Sequence, residues 1–339
     1  MHRRGPMRCV ELQRTGHVDQ ALLQVVDRPD PEPGAGEVLV AVHTCAVCRT
    51  DLQIVEGDIP LKRSPIVPGH QAIGKVIALG ERVEHVKLGD RVGIGWLRST
   101  CGRCKHCNEG RENLCEKARF TGWDDDGGFA TRLVADARFV FKIPAGFDDI
   151  SAAPLMCGGV IGYRAFRLTG ASAGTRLGLY GFGASARLTI QVAKHCGCEI
   201  YVATRSDRER ERALELGATW AGTYGERPPR ALDAAITFAP AGEVVIAALK
   251  ATDRGGTVVV NAIHLDRIPE FPYENLWWER SLKSVANYTR RDAIELLDLA
   301  AAIPLKVEAE LHPLADARVA LERVLNGQVR GAAVLDVAL

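Results

Sequence analysis

The chain has 339 residues, 47% hydrophobic and 25% charged, with a formal net charge of +1. That length suits two domains, and the balance suits a soluble globular protein with real cores. Near-neutrality without a basic cluster gives no electrostatic case for nucleic acid or an anionic membrane, and the longest uncharged apolar run, 150–163, is too short and glycine-rich for a membrane span.

The start, MHRRGPMRC, lacks the apolar stretch of a secretory signal, so a cytoplasmic location is expected, with Met7 as a second candidate start. In a reducing compartment, ten cysteines point to metal binding or catalysis rather than disulfides. From Val10 to about Val92 the pattern is β-like: ALLQVV, EVLVAVHT, AIGKVIAL and RVGIG alternate with turns such as PDPEPGAGE and VPGH. Inside it, CAVCRTD holds Cys45 and Cys48, which could be packing residues, a redox pair or part of a metal site.

Cys101, Cys104, Cys107 and Cys115 follow as C-x2-C-x2-C-x7-C. Four thiolates this close can close a tetrahedron around one Zn²⁺, with no open position, so that zinc would be structural. A [4Fe–4S] cluster is the smaller rival, because its usual run is spaced differently and followed by Pro.

From Gly178 to about Ile263, apolar runs (GLGLYGFG, EIYVATR, LDAAITFA, GTVVVNAI) alternate with helical patterns (ARLTIQVAKHC, RERERALELG, AGEVVIAALKA). Such alternation predicts a parallel sheet with helices on both faces. The charge run SDRERERALE reads as the wet face of a helix. Gly181-Phe-Gly183-Ala184-Ser185-Ala186 has the spacing G-x-G-x-x-A between strand and helix, which suits a dinucleotide pyrophosphate at the helix N-terminus. The next strand runs into Thr204-Arg205-Ser206, with no carboxylate before Asp207. A hydroxyl and a guanidinium suit a 2′-phosphate, so NADP(H) is favoured, with NAD(H) as the alternative. The tail from about Tyr288 holds two helical patterns (DAIELLDLAAAI, DARVALERVLNG) and a last strand, GAAVLDVAL.

Taken in order, CAVCRTD, VPGH, the four-cysteine lobe, APLMCGG, GFGASA and the terminal VRGAAVL make the chain resemble the zinc-dependent medium-chain alcohol dehydrogenases over nearly its whole length. Within that family it looks most like the bacterial alcohol dehydrogenases and somewhat like the cinnamyl alcohol dehydrogenases. The resemblance implies an α/β fold. A GroES-like β-rich catalytic domain would span 1–156, with its zinc lobe at 101–115. A Rossmann doubly wound parallel-sheet domain would span 157–287, and 288–339 would return to the catalytic domain. It implies two zinc ions per chain and a catalytic ion held by Cys48, His70 and Cys157 in the cleft between the domains. The fourth position would be left for a small alcohol or aldehyde, and Cys45 would be a spectator. A zinc ion there would lower the pKa of a bound alcohol, and the nicotinamide would take the hydride.

By the same likeness Thr50 takes the alcohol proton and Asp51 holds the ligand histidine. Arg49 and Arg330 approach the cofactor pyrophosphate, and Trp96 and Trp123 line the substrate pocket. The family habit also implies a homodimer or homotetramer. Two positions depart from the pattern. Gln53 stands where a histidine often relays the proton, and an amide cannot titrate. Gln71 stands where a glutamate usually follows the ligand histidine. The expected activity is reversible oxidation of primary alcohols. Its alternatives are a polyol or aromatic, cinnamyl-type dehydrogenase, or a homologue impaired by these two changes.

Overall fold

Strand Glu37–Val47 organises one half of the protein, because eight of its eleven residues are apolar, and Val38, Val40 and Cys45 are wholly buried. One edge pairs antiparallel with Gln71–Leu79. The other is shared: Arg132–Asp136 takes residues 37–41, and the terminal strand Ala332–Asp336 takes 44–47. Arg91–Ile94, Val140–Lys142 and Ala309–Pro313 extend this mixed sheet, which is antiparallel except where Ala309–Pro313 meets Ala332–Asp336. Val38, Val40, Ile54, Ile66, Phe129 and Leu335 meet in its core. The structure is a computed structural model, and it describes residues 6–262, 265 and 267–338. The leading residues 1–5, the end of the predicted strand at Ile263 and the last residue, Leu339, lie outside the described residues.

The stretch that reads as β-like from Val10 to Val92 contains a helix, Arg49–Glu56. Its buried residues, Thr50, Asp51, Leu52, Ile54 and Val55, recur at helical spacing. Two of them are polar, which hides the period in the sequence. Gly57, at φ 88°, closes the helix in the left-handed conformation that favours glycine.

The chain divides into two compact units. The first holds the residues up to Cys157, with Thr289–Ala301 and the segment from Lys306 onward. The second holds Gly158–Tyr288 and Ala302–Leu305. It is a six-stranded parallel sheet. In chain order its strands are Arg176–Tyr180, Glu199–Ala203, Trp220–Gly222, Leu232–Thr237, Thr252–Val260 and Ser281–Ser284. Their spatial order is 3-2-1-4-5-6, the doubly wound dinucleotide-binding arrangement, with its switch point between Arg176–Tyr180 and Leu232–Thr237. Among the described residues no helix is long and apolar enough to cross a membrane.

Candidate active site

Strand register brings the first two sulfur and nitrogen ligand candidates together. Ala46 pairs with Gln71, so Cys48 lies just past the end of one strand and His70 just before its neighbour. Gly69, at φ 95°, makes the turn into His70, and a Cβ there would lie 2.3 Å from the Phe129 ring. Only glycine serves at that position. Cys157 arrives from a short 3₁₀ turn, Ala153–Met156, that packs against the sheet.

Among the described residues, the ligand atoms of Cys48, His70 and Cys157 all lie within 4.8 Å of one another. The two sulfurs are 3.8 Å apart. A disulfide would need about 2 Å. Two thiolates bound about 2.3 Å from one tetrahedral zinc would sit about 3.8 Å apart. The donor set therefore fits that ion and leaves a fourth position open.

Asp51 holds the set in place. Its carboxylate is fully buried and accepts from Cys48 N (2.8 Å), Gly69 N (3.2 Å) and His70 Nδ1 (2.8 Å). That bond puts the histidine proton on Nδ1 and leaves Nε2 as the metal-facing atom. The Thr50 hydroxyl is buried and lies 3.8 Å from the Cys48 sulfur. Cys45, wholly buried one register pair away, packs instead in the core, and burial raises its thiol.

The electrostatics favour a cation. A hydrogen bond from Cys157 outweighs burial and, with His70, holds the Cys48 thiol well below its ordinary range. That same bond, with burial, raises Cys157. Burial opposes charge on His70, but the Asp51 carboxylate and the Cys48 sulfur outweigh it and raise the ring to about 10. The Asp51 carboxylate and the Cys48 sulfur thus place negative charge beside the buried His70 ring.

Of the two predicted pocket tryptophans, Trp96 adjoins a ligand directly and Trp123 stacks behind it. Trp96 meets His70 edge-on, with centroids 5.0 Å apart, and stacks on Phe120 (5.1 Å) and Trp123 (6.0 Å). Gln53 is half-buried on the same helix as Thr50. Gln71 is buried, and its amide donates to Ala46 O over 3.3 Å. A carboxylate could not make that bond, which gives this departure a local physical reason. Arg49 and Arg330 are exposed, and Arg330 N donates to Glu310.

The four-cysteine lobe gathers as its spacing predicts: the sulfurs of Cys101, Cys104, Cys107 and Cys115 lie within 4.8 Å of one another. Backbone N–H groups of Arg103 and Cys104 lower the Cys101 thiol to about 6.

In the second unit, Gly181 ends its strand at φ 92°, and a Cβ there would lie 2.8 Å from Ala239 N. Gly183 caps helix Ala184–His195. Gly183 and Ala184 are exposed, Ala186 is buried, and the Ser185 hydroxyl is committed to Gly158 O at 2.7 Å. Thr204 is buried and Arg205 exposed at the end of the next strand. Asp207, the first carboxylate, is ion-paired with Arg210. The sequence reading missed Tyr224. Burial raises its phenol, against the opposing influence of the Arg205 charge and the nearby Thr204 side chain. It follows the neighbouring strand Trp220–Gly222, and a tyrosine just past the next strand is the only signal the sequence carries. Lys62, also missed, lies 3.7 Å over the Trp123 ring.

Comparison with known proteins agrees with this geometry. Residues 34–145 match the alcohol dehydrogenase GroES-like domain, and 186–302 match the zinc-binding dehydrogenase domain. The chain is 47% identical to "Probable alcohol dehydrogenase AdhA" of Mycobacterium tuberculosis, over 97% of each chain. It is 35% identical to an alcohol dehydrogenase of Geobacillus stearothermophilus, over 93% of this chain and 96% of that one. A solved cinnamyl alcohol dehydrogenase from Sorghum bicolor superposes with a TM-score of 0.86, 26% identity and 98% coverage of both chains. The chain belongs to the zinc-dependent medium-chain alcohol dehydrogenase family.

Proposed function

We propose that this alcohol dehydrogenase interconverts primary alcohols and aldehydes with NADP(H), holding one zinc at Cys48, His70 and Cys157 and a second at the four-cysteine lobe. The observation that carries the reading is the first cluster: two sulfurs 3.8 Å apart and a histidine whose other nitrogen is bound to a buried carboxylate. When bound, zinc supplies Lewis acidity to the alcohol oxygen and the nicotinamide accepts the hydride. The rest falls to the chain. Cys48 and Cys157 would supply charge that balances the ion, and Asp51, accepting from Nδ1, orients His70 with Nε2 turned to the metal. Thr50, buried beside the Cys48 sulfur, is the hydroxyl that takes the alcohol proton. Gln53 cannot accept it in turn, so the proton leaves Thr50 without help from that side chain. Trp96 and Trp123 give the substrate an apolar wall beside His70. Ten free cysteines suit a reducing cytoplasm.

NADP(H) is favoured by the end of strand Glu199–Ala203. Thr204, Arg205 and Tyr224 gather two hydroxyls and a guanidinium there, while the nearest carboxylate is occupied by Arg210. Replacing Arg205 with alanine is expected to lower kcat/KM for NADPH about 10- to 100-fold, the worth of a charge-assisted hydrogen bond to phosphate, and to change that for NADH little. Steady-state kinetics with both cofactors measure this. An equal loss with both would remove Arg205 from phosphate recognition, and a parent enzyme preferring NADH would sink the NADP reading itself.

A further inference from the structure

Two strands of the mixed sheet and the segment that delivers Cys157 meet at one carboxylate. Asp149 opens a short helix, Asp149–Ala152, upstream of Cys157. Its Oδ2 accepts from His43 Nδ1 at 2.6 Å, and its Oδ1 accepts from Arg91 Nε at 2.5 Å. Its backbone O accepts from the Thr44 hydroxyl at 2.9 Å. Burial opposes its charge, but His43 and Arg91 outweigh burial and hold the carboxyl below its ordinary range. His43 and Thr44 sit on strand Glu37–Val47, which runs directly into Cys48. Arg91 opens strand Arg91–Ile94, which pairs with Gln71–Leu79 as far as Ala72, two residues from His70. One side chain therefore ties together the segments that carry all three ligands.

Between Asp149 and Cys157 the chain has little freedom. Asp148 caps the helix, its side chain accepting from Ser151 N at 2.6 Å. The 3₁₀ turn Ala153–Met156 follows without a break, and Ala152, Ala153, Leu155 and Met156 are wholly buried. Strand Arg91–Ile94 closes on this turn: a Cβ on Gly93 would lie 2.5 Å from Met156 Sδ. Two arms thus leave the Asp149 anchor. A turn of α-helix followed by a turn of 3₁₀-helix covers about 14 Å from Asp149 to Cys157. The extended chain covers about 16 Å from His43 to Cys48. The arms end at sulfurs 3.8 Å apart.

We propose that Asp149 is a positioning residue for the Cys48–His70–Cys157 site: by locking the Cys157 segment to the strand that ends at Cys48, it sets the spacing of the two sulfurs. This rests on the reading of that site as a metal centre. Asp149 touches no ligand and no reacting atom. It acts by removing freedom. A segment able to slide along the sheet would present its sulfur at many separations, and binding an ion would then include ordering it. Two charge-assisted hydrogen bonds from different strands oppose sliding along either one.

The test is zinc occupancy under chelator competition, read by alkylating unprotected cysteines and locating the label by mass spectrometry. That readout reports Cys48 and Cys157 separately from the four-cysteine lobe and needs no turnover. Asp149→Ala is expected to weaken zinc at the Cys48–His70–Cys157 site about 5- to 10-fold, less than the loss of a group that touches a ligand directly. The lobe should keep its parental affinity. His43→Leu removes one of the two charged bonds and should weaken the same site about 3-fold. His43→Asn, whose amide can donate from the place of Nδ1, should restore it. Unchanged affinity at the site in Asp149→Ala, or an equal loss at both clusters, overturns the positioning role. If Asp149→Ala does not fold, the His43 pair decides the question, because equal affinities in His43→Leu and His43→Asn also overturn it. A parent protein that protects only the lobe overturns the metal reading of the site itself, and is told apart because Cys48 and Cys157 are then labelled before any substitution.

Discussion

An enzyme carrying Asp51→Asn is expected to bind zinc at the Cys48–His70–Cys157 site about 10- to 100-fold more weakly and to lose kcat/KM for aldehyde reduction by a similar factor. The reason is the hydrogen-bond inventory. Asp51 accepts from three N–H donors, and the carboxylate has lone pairs for all of them. Asparagine has one acceptor oxygen. Its amide group would face at least one donor inside a site that is closed to water. Relief would require turning the amide or moving His70, and either releases the tautomer that leaves Nε2 free. The substitution also removes the buried negative charge that opposes the cation's desolvation. A competition assay with a coloured chelator measures the zinc affinity directly. Parental affinity in Asp51→Asn would show that the three bonds position nothing.

Replacing Cys104 with serine is expected to destabilise the protein by about 3 kcal/mol or more, because a structural zinc site contributes its binding energy to folding. The lobe does more than hold its own turns. Glu112, buried within it, accepts from Arg290 N at 2.9 Å and from Arg290 Nε at 3.1 Å. Arg290 opens helix Arg290–Ala302, just where the chain re-enters the first unit. Thr289 and Asp292 complete that start, Asp292 accepting from both Thr289 N and its hydroxyl. A lobe that opens when one sulfur is lost gives up the Glu112 anchor and exposes the helix start. Urea unfolding with zinc present measures the change. A midpoint equal to the parent's would mean the four sulfurs add nothing to stability.

The two metal sites differ in how far the residues announce them. The four-cysteine lobe closes over a few turns of chain, so its spacing alone predicts its geometry. Cys48, His70 and Cys157 are brought together by the Ala46–Gln71 register and by a turn from a distant part of the chain. Local pattern carries neither, and only the likeness to a family named them. The parallel sheet is legible in four of its six strands, which with their helices are long enough to show a period; Trp220–Gly222 and Ser281–Ser284, three and four residues long, are too short to show one. Helix Arg49–Glu56 is not, because Thr50 and Asp51 occupy buried positions that hydrophobicity marks as exposed. Tyr224 and Lys62 escape for a related reason. Their partners, Thr204 and Trp123, lie on other segments, and contact depends on strand order and loop path.

Aldehyde-dependent oxidation of NADPH, followed as the metal is stripped and then restored, tests the central claim most directly. Zinc removal should abolish turnover, and zinc alone should bring it back. Restoration should weaken as pH falls: His70, raised to about 10, and Cys157, raised by burial and by Cys48, both hold protons at neutral pH that the ion must displace. Turnover that persists after the Cys48–His70–Cys157 site has been emptied would contradict the account.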